Sequence, residues 1–117
     1  MENLVFEKGI AFYSQEFSDA MRIETLRINI TPSDVENIRD AMKIIKANDF
    51  ITSINIPLNG HAEYLDDEGV ETDLWRTDYD KLIVYSNCVY YYAQNKWHSG
   101  DQIESSEITA DELGITF

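Results

Sequence analysis

The sequence predicts an α+β fold, one main helix packed on a mostly antiparallel sheet, in a single domain spanning residues 1–117. Three observations carry that expectation. Residues 32–47 repeat apolar side chains at three- and four-residue steps. Several other stretches alternate apolar and polar residues instead. Short turn signals, Asn59-Gly60 and Ser86-Asn87 among them, separate those stretches. One helical stripe and several two-period strands joined by tight turns bury their apolar faces best as a helix on one side of a sheet of hairpins.

Residues 3–17 gather Leu4, Val5, Phe6, Ile10, Phe12 and Tyr13 around Gly9, the content of a hairpin or of one bent strand. Residues 21–30 place Leu26, Ile28 and Ile30 on one face and Thr25, Arg27 and Asn29 on the other, which predicts a strand. Thr-Pro-Ser-Asp at 31–34 is a helix start. Thr31 can cap, Pro32 suits the first turn, and Asp34 lies near the positive helix end. Val35, Ile38, Met42 and Ile45 draw one apolar stripe, Arg39, Lys43 and Lys46 load the later turns, and the helix should run over 32–47 and end near Asn48. Residues 50–58 alternate again, with Phe50, Ile54, Ile56 and Leu58 on one side, and Pro57 favours an edge or a strand end. Asn59-Gly60 then predicts a tight turn and 61–65 a returning strand. Asp66-Asp67-Glu68-Gly69 reads as a second turn and 70–76 as a third strand. Residues 81–93 form a hairpin around Ser86-Asn87, and a turn at Gln94-Asn95 would return Trp97 along the sheet. In the tail, Thr109 can cap a short helical turn that Gly114 stops.

Composition narrows the function classes. A hydrophobic fraction of 44 % with 12 % aromatics fits a packed globule and not a disordered chain. No apolar run approaches the roughly 18 residues of a membrane helix, and the N-terminus lacks the basic-then-apolar pattern of a secretory signal. A lone cysteine, Cys88, cannot form an internal disulfide, so a cytoplasmic, reducing home is the simplest expectation. Net charge is −13, and it is uneven: residues 1–60 hold nine acids against six bases (−3), residues 61–117 thirteen against three (−10). Such a field repels nucleic acid and anionic membranes and steers basic partners inward. The other reading of the same charge is solubility alone.

Catalytic and metal chemistry find little support. With Gly69 as the sixth residue of an EF-hand loop, Tyr64 would be the first and Trp75 the twelfth, and neither is a ligand. Asp66, Asp67 and Glu68 leave a divalent-ion site of another kind open, against a plain solvated turn. Cys88, His61 and His98 show no zinc spacing. A Cys88 nucleophile paired with His61 or His98 competes with Cys88 as a small packed residue. No phosphate loop, nucleophile elbow or dinucleotide fingerprint occurs. The expectation is a non-enzymatic protein without a cofactor.

The acids of the second half supply the candidate site. Eight of the twenty residues 61–80 are acidic: Glu63, Asp66, Asp67, Glu68, Glu71, Asp73, Asp78 and Asp80. On a strand, Glu71 and Asp73 share a face about 6.7 Å apart, close to the roughly 6.8 Å of two nucleotide steps along a DNA strand. Tyr64, Trp75 and Tyr79, interleaved with these acids, are either interface anchors or core. In size, acidity and lack of a catalytic motif the chain resembles small phage-encoded anti-defence proteins, the DNA mimics that block restriction enzymes and the anti-CRISPR inhibitors. The resemblance rests on those eight acids with Glu104, Glu107, Asp111 and Glu112 near the tail. Some such inhibitors are all-helical, unlike the α+β pattern here. The resemblance implies an inhibitor acting in a host cytoplasm. The −10 charge of residues 61–117 itself points to a basic, nucleic-acid-handling partner, with Glu63, Asp66, Asp67, Glu68, Glu71, Asp73, Trp75, Asp78 and Asp80 as the expected contact residues. The alternative is a small assembly domain, monomer or homodimer, self-associating through a sheet edge or the run Tyr90, Tyr91 and Tyr92. Successive tyrosines on a strand point to opposite faces, so at least one faces away from its neighbours.

Overall fold

A computed structural model of the chain describes residues 2–13, 24–72, 77–95, 102–105 and 107–116. Its elements are β1 (Leu4–Tyr13), β2 (Thr25–Ile30), α1 (Pro32–Ala47), β3 (Ile54–Pro57), β4 (His61–Leu65), β5 (Thr77–Val84), β6 (Cys88–Asn95), β7 (Gln102–Ser105) and β8 (Ile108–Thr109). The α+β prediction holds: one helix lies against sheet strands that all pair antiparallel.

The strand order is β3-β5-β6-β7-β1-β2-β4, with β8 added on β6. Residues 4–13 form the single strand of the two alternatives. Its first part, Leu4 to Gly9, pairs with β2, and its second, Ile10 to Tyr13, pairs with β7. The two end strands of the order, β3 and β4, are consecutive in the chain and separated only by residues 58–60. Four Cα steps reach at most about 14 Å. The two ends of the sheet are therefore neighbours, and the sheet curls around its core instead of lying flat.

That core is one cluster. Leu26, Ile28 and Ile30 of β2 are fully buried, as their alternation predicts, together with Leu82 and Val84 of β5, Val89, Tyr91 and Ala93 of β6, and Ile103 of β7. From the helix come Val35, Ile38, Ala41, Met42 and Ile45, the predicted stripe plus one alanine. Burying each large aliphatic side chain contributes about 1.5–3 kcal/mol relative to exposure. The helix lies against β3 and β5. Its bounds match the expected 32–47, with Thr31 as N-cap and Asn48 as C-cap. The tail also follows its signals: Thr109 Oγ1 accepts the Glu112 amide at 3.2 Å, and Gly114, at φ +73°, turns the chain out.

Four expectations change. Strand 50–58 shortens to Ile54–Pro57, because the chain leaves the helix through a turn in which the Ile51 amide reaches back to Asn48 O at 3.3 Å. Phe50, expected on the apolar face, is fully exposed. Asn59-Gly60 does not close a hairpin between β3 and β4, since β4 pairs with β2 and β3 with β5. Gln94 and Asn95 belong to β6, where they face Gln102 and Thr77, so no turn occurs there; Trp97 lies outside the described residues. Of strand 70–76, only Glu71 is seen to pair, in a bridge with Leu65, and 73–76 lie outside the described residues.

Candidate partner-binding surface

The acidic stretch begins on β4, whose outward side chains meet those of β2 and β1. Registers Glu7↔Arg27 and Arg27↔Glu63 set three charges in one row across three strands. Arg27 Nε donates to Glu7 Oε1 at 3.1 Å, and Nη1 donates to Glu63 Oε2 at 2.9 Å. His61 Nε2 lies 3.2 Å from the other Glu63 oxygen and 3.1 Å from Asn29 Nδ2. The hydrogen bond from Arg27, and then that from His61, hold the Glu63 carboxyl below the usual carboxylate range. Glu63 is thus an anion already neutralised by its neighbours.

The chain then turns. Asp66 Oδ1 accepts the amides of Glu68 and Val70, each at 2.9 Å. Gly69 at φ +80° closes the loop, its amide on Asp66 O at 3.0 Å, and Thr72 donates back to Tyr64 O at 2.8 Å. Short Asx-type bonds of this kind are why Asp opens turns. One Asp66 oxygen is therefore committed to holding the loop in shape. Asp67, Glu68 and Glu71 project from this tip, exposed, with no described cation in ion-pair range.

Asp80 behaves differently again. It sits on β5 opposite Ala93 and on the same face as Leu82 and Val84. Its Oδ2 accepts from the Tyr91 hydroxyl at 3.0 Å, and Tyr91 Oη lies 2.7 Å from Tyr64 Oη. Tyr64, which could have been an anchor or core, is therefore core, and so is Tyr91, whose hydroxyl pKa is pushed up strongly by burial and then by Tyr64 and Asp80. Asp78 is part of β5, Asp73 and Trp75 lie outside the described residues, and nothing is described of the Asp78 and Tyr79 side chains. The Glu71–Asp73 spacing falls with them. The predicted nine-residue set thus divides: Asp67, Glu68 and Glu71 gather at one tip, while Glu63, Asp66 and Asp80 hold the structure together.

A groove of about 470 Å³ escaped the sequence reading. Tyr85, Ser86, Asn87, Cys88, Tyr90 and Glu104 line it. The signal was available in the two-residue loop Ser86-Asn87, which sets Tyr85 and Tyr90 on the same outer face. The nucleophile reading of Cys88 loses ground here. The thiol is buried, and its pKa is pushed up to about 11 by that burial and then by Glu107. The described histidine, His61, is engaged by Glu63 and Asn29 instead. Among the described residues, no three metal-ligating side chains are grouped. No described helix is long and apolar enough to cross a membrane.

No protein-family model, curated protein or solved structure matches the chain.

Proposed function

We propose that this protein is a non-enzymatic inhibitor that docks on a basic, nucleic-acid-handling protein and occludes its nucleic-acid groove, as the anti-restriction and anti-CRISPR proteins it resembles do. The observation that carries this reading is the tip of the β4 turn. Asp67, Glu68 and Glu71 stand exposed without a described cation, on a loop fixed by five hydrogen bonds and a positive-φ glycine. A preorganised anionic projection loses little entropy on binding, so its charge is available to the partner. Three acids on a turn support an electrostatic plug better than a phosphate-by-phosphate copy of a duplex.

The test is capture from the source-cell lysate at low and high salt, read by mass spectrometry, with wild type beside an Asp67→Asn, Glu68→Gln, Glu71→Gln variant. A nucleic-acid-handling protein recovered by wild type, lost at high salt and lost with the variant, is the expected result. Equal recovery by both proteins overturns the role of the tip.

One observation favours a second reading, self-association. Tyr90 and Tyr92 lie on the outer sheet face, half-buried, while Tyr91 turns into the core. Light scattering across a concentration range separates a dimer built on that face from a monomeric inhibitor.

A further inference from the structure

The outer face of β5, β6 and β7 is chemically unlike the rest of this acidic molecule. Strand register aligns Lys81, Tyr92 and Glu104 in one row, and Ile83 with Tyr90 in the next. Lys81 Nζ already sits 5.1 Å from the centre of the Tyr92 ring, so one tyrosine of this face seats a cation within the fold. The neighbouring pair does not. Tyr85 and Tyr90 meet edge to face, with centroids 5.6 Å apart and planes at 85°, and no described cation lies over either ring. They form part of the wall of the groove of about 470 Å³, and Glu104 stands in that wall with them. A second carboxylate comes from the tail. β8 pairs Thr109 with Cys88, and the Ala110 amide bonds Asn87 O at 2.8 Å, which fixes Glu107 beside Cys88 and Tyr90. The effect on Tyr90 agrees: burial first, then Glu107, pushes the pKa of its hydroxyl up, with Glu104 adding to it.

We infer that this groove is a binding site for an arginine side chain of a protein partner, the guanidinium lying against Tyr85 and Tyr90 and donating to Glu104. A tyrosine face attracts a cation through its quadrupole. Guanidinium is planar, weakly hydrated and forked, so it stacks on a ring and reaches a carboxylate at once, which a lysine ammonium does less well. At this volume the groove is near the lower end of ligand pockets, enough for one long side chain. Burial pushes the pKa of the Cys88 thiol and of the Tyr90 hydroxyl up, so neither adds charge to the groove, and Glu104 is the carboxylate in its wall. The inference rests on the basic-partner reading and gives it a second contact, separate from the Asp67–Glu71 tip.

The test is NMR titration with three short peptides differing only in arginine, lysine or citrulline. The expected result is that the arginine peptide shifts the signals of Tyr85, Cys88, Tyr90 and Glu104, that the lysine peptide needs about tenfold more, and that citrulline, which keeps the shape without the charge, leaves them in place. Tyr85→Leu and Glu104→Gln should each abolish the response. Both side chains are exposed, and retained amide dispersion shows that either variant is folded. The Asp67→Asn, Glu68→Gln, Glu71→Gln variant should keep it. Shifts confined to the tip overturn the groove while leaving a basic partner standing. Equal shifts with citrulline, or none with any peptide, overturn the groove outright. If the groove responds while lysate capture fails, the site stands and the nucleic-acid-handling partner falls.

Discussion

Gly60 and Gly69 lie nine positions apart, each in a polar link at one end of β4, yet they close opposite kinds of turn. Residues 59–60 are welded into the molecule. The Asp34 carboxylate, fully buried at the start of the helix, accepts the Asn59 amide at 2.8 Å and the Gly60 amide at 2.9 Å. It also takes the Thr31 amide at 3.0 Å and hydroxyl at 2.9 Å. Gly60 is glycine because the Asn29 carbonyl occupies the space of a side chain; a Cβ there would lie 1.8 Å from that oxygen. Among the described residues, 66–70 have no distant partner. Asp66 satisfies their amides locally, Gly69 is glycine because its φ is positive, and a Cβ would meet nothing. One carboxylate ties a helix cap to the junction between the two sheet ends. The other shapes a loop that leaves its remaining acids to solvent. Acidity in this chain therefore has at least two uses, internal acceptor and external charge, and density along the sequence does not separate them.

The largest effect expected from breaking this comparison is at the buried junction. Gly60→Ala should destabilise by about 3 kcal/mol or more, since backbone and not a flexible side chain must move. Asp34→Ala should cost a similar amount, about 3 kcal/mol, by removing a helix cap and stranding the Asn59 and Gly60 amides. Denaturant titration measures both, and a loss below about 1 kcal/mol for either would mean the junction is not a stability determinant. At the exposed turn, Gly69→Ala should cost only about 1 kcal/mol, the strain of a left-handed residue with space around it.

A smaller, pH-dependent effect belongs to Glu63. Its folded pKa lies below the 4.5 of a free glutamate. The stabilisation is therefore present above that pH and lost as pH falls through the folded value. Glu63→Gln should lower the melting temperature at neutral pH, and the two proteins should converge as pH drops below about 4.5. Parallel curves would show that the Arg27 row contributes nothing. The smallest change in stability is expected for the Asp67→Asn, Glu68→Gln, Glu71→Gln variant, within about 0.5 kcal/mol of wild type, as for exposed residues without partners. A loss comparable to that of Gly69→Ala would mean the tip acids maintain the turn, and would count against reserving them for a partner.

Much of the fold was legible because its signals are local. The helix announces itself through Thr31, Pro32 and the Val35–Ile38–Met42–Ile45 stripe, and its bounds follow from those residues alone. Leu26, Ile28 and Ile30 mark their buried face by alternation, and Gly69 and Gly114 mark their turns by positive φ. Phe50 was misread because period-two alternation continues past the point where the helix exit turns the chain. Asn59-Gly60 was misread because a turn dipeptide reports a change of direction and says nothing of which strand receives the next one. For the candidate site, sequence located the acids but could not sort them. The Glu63 carboxylate is paired with Arg27, 36 residues away, and Asp80 turned toward Tyr91 through strand parity.

Class, helix, the faces of β2, the excess of negative charge and the lack of a known catalytic motif can all be read from residue order, because each depends on composition or on neighbours within a few residues. It takes the folded chain to show that β3 and β4 part to opposite ends of the strand order, that Asp34 joins the helix cap to their link, and that Tyr85, Tyr90 and Glu104 share one groove. Those are statements about pairing between distant segments. Pairing is selected by the total burial of the core and the satisfaction of backbone amides across the whole chain, and no window of sequence contains either sum.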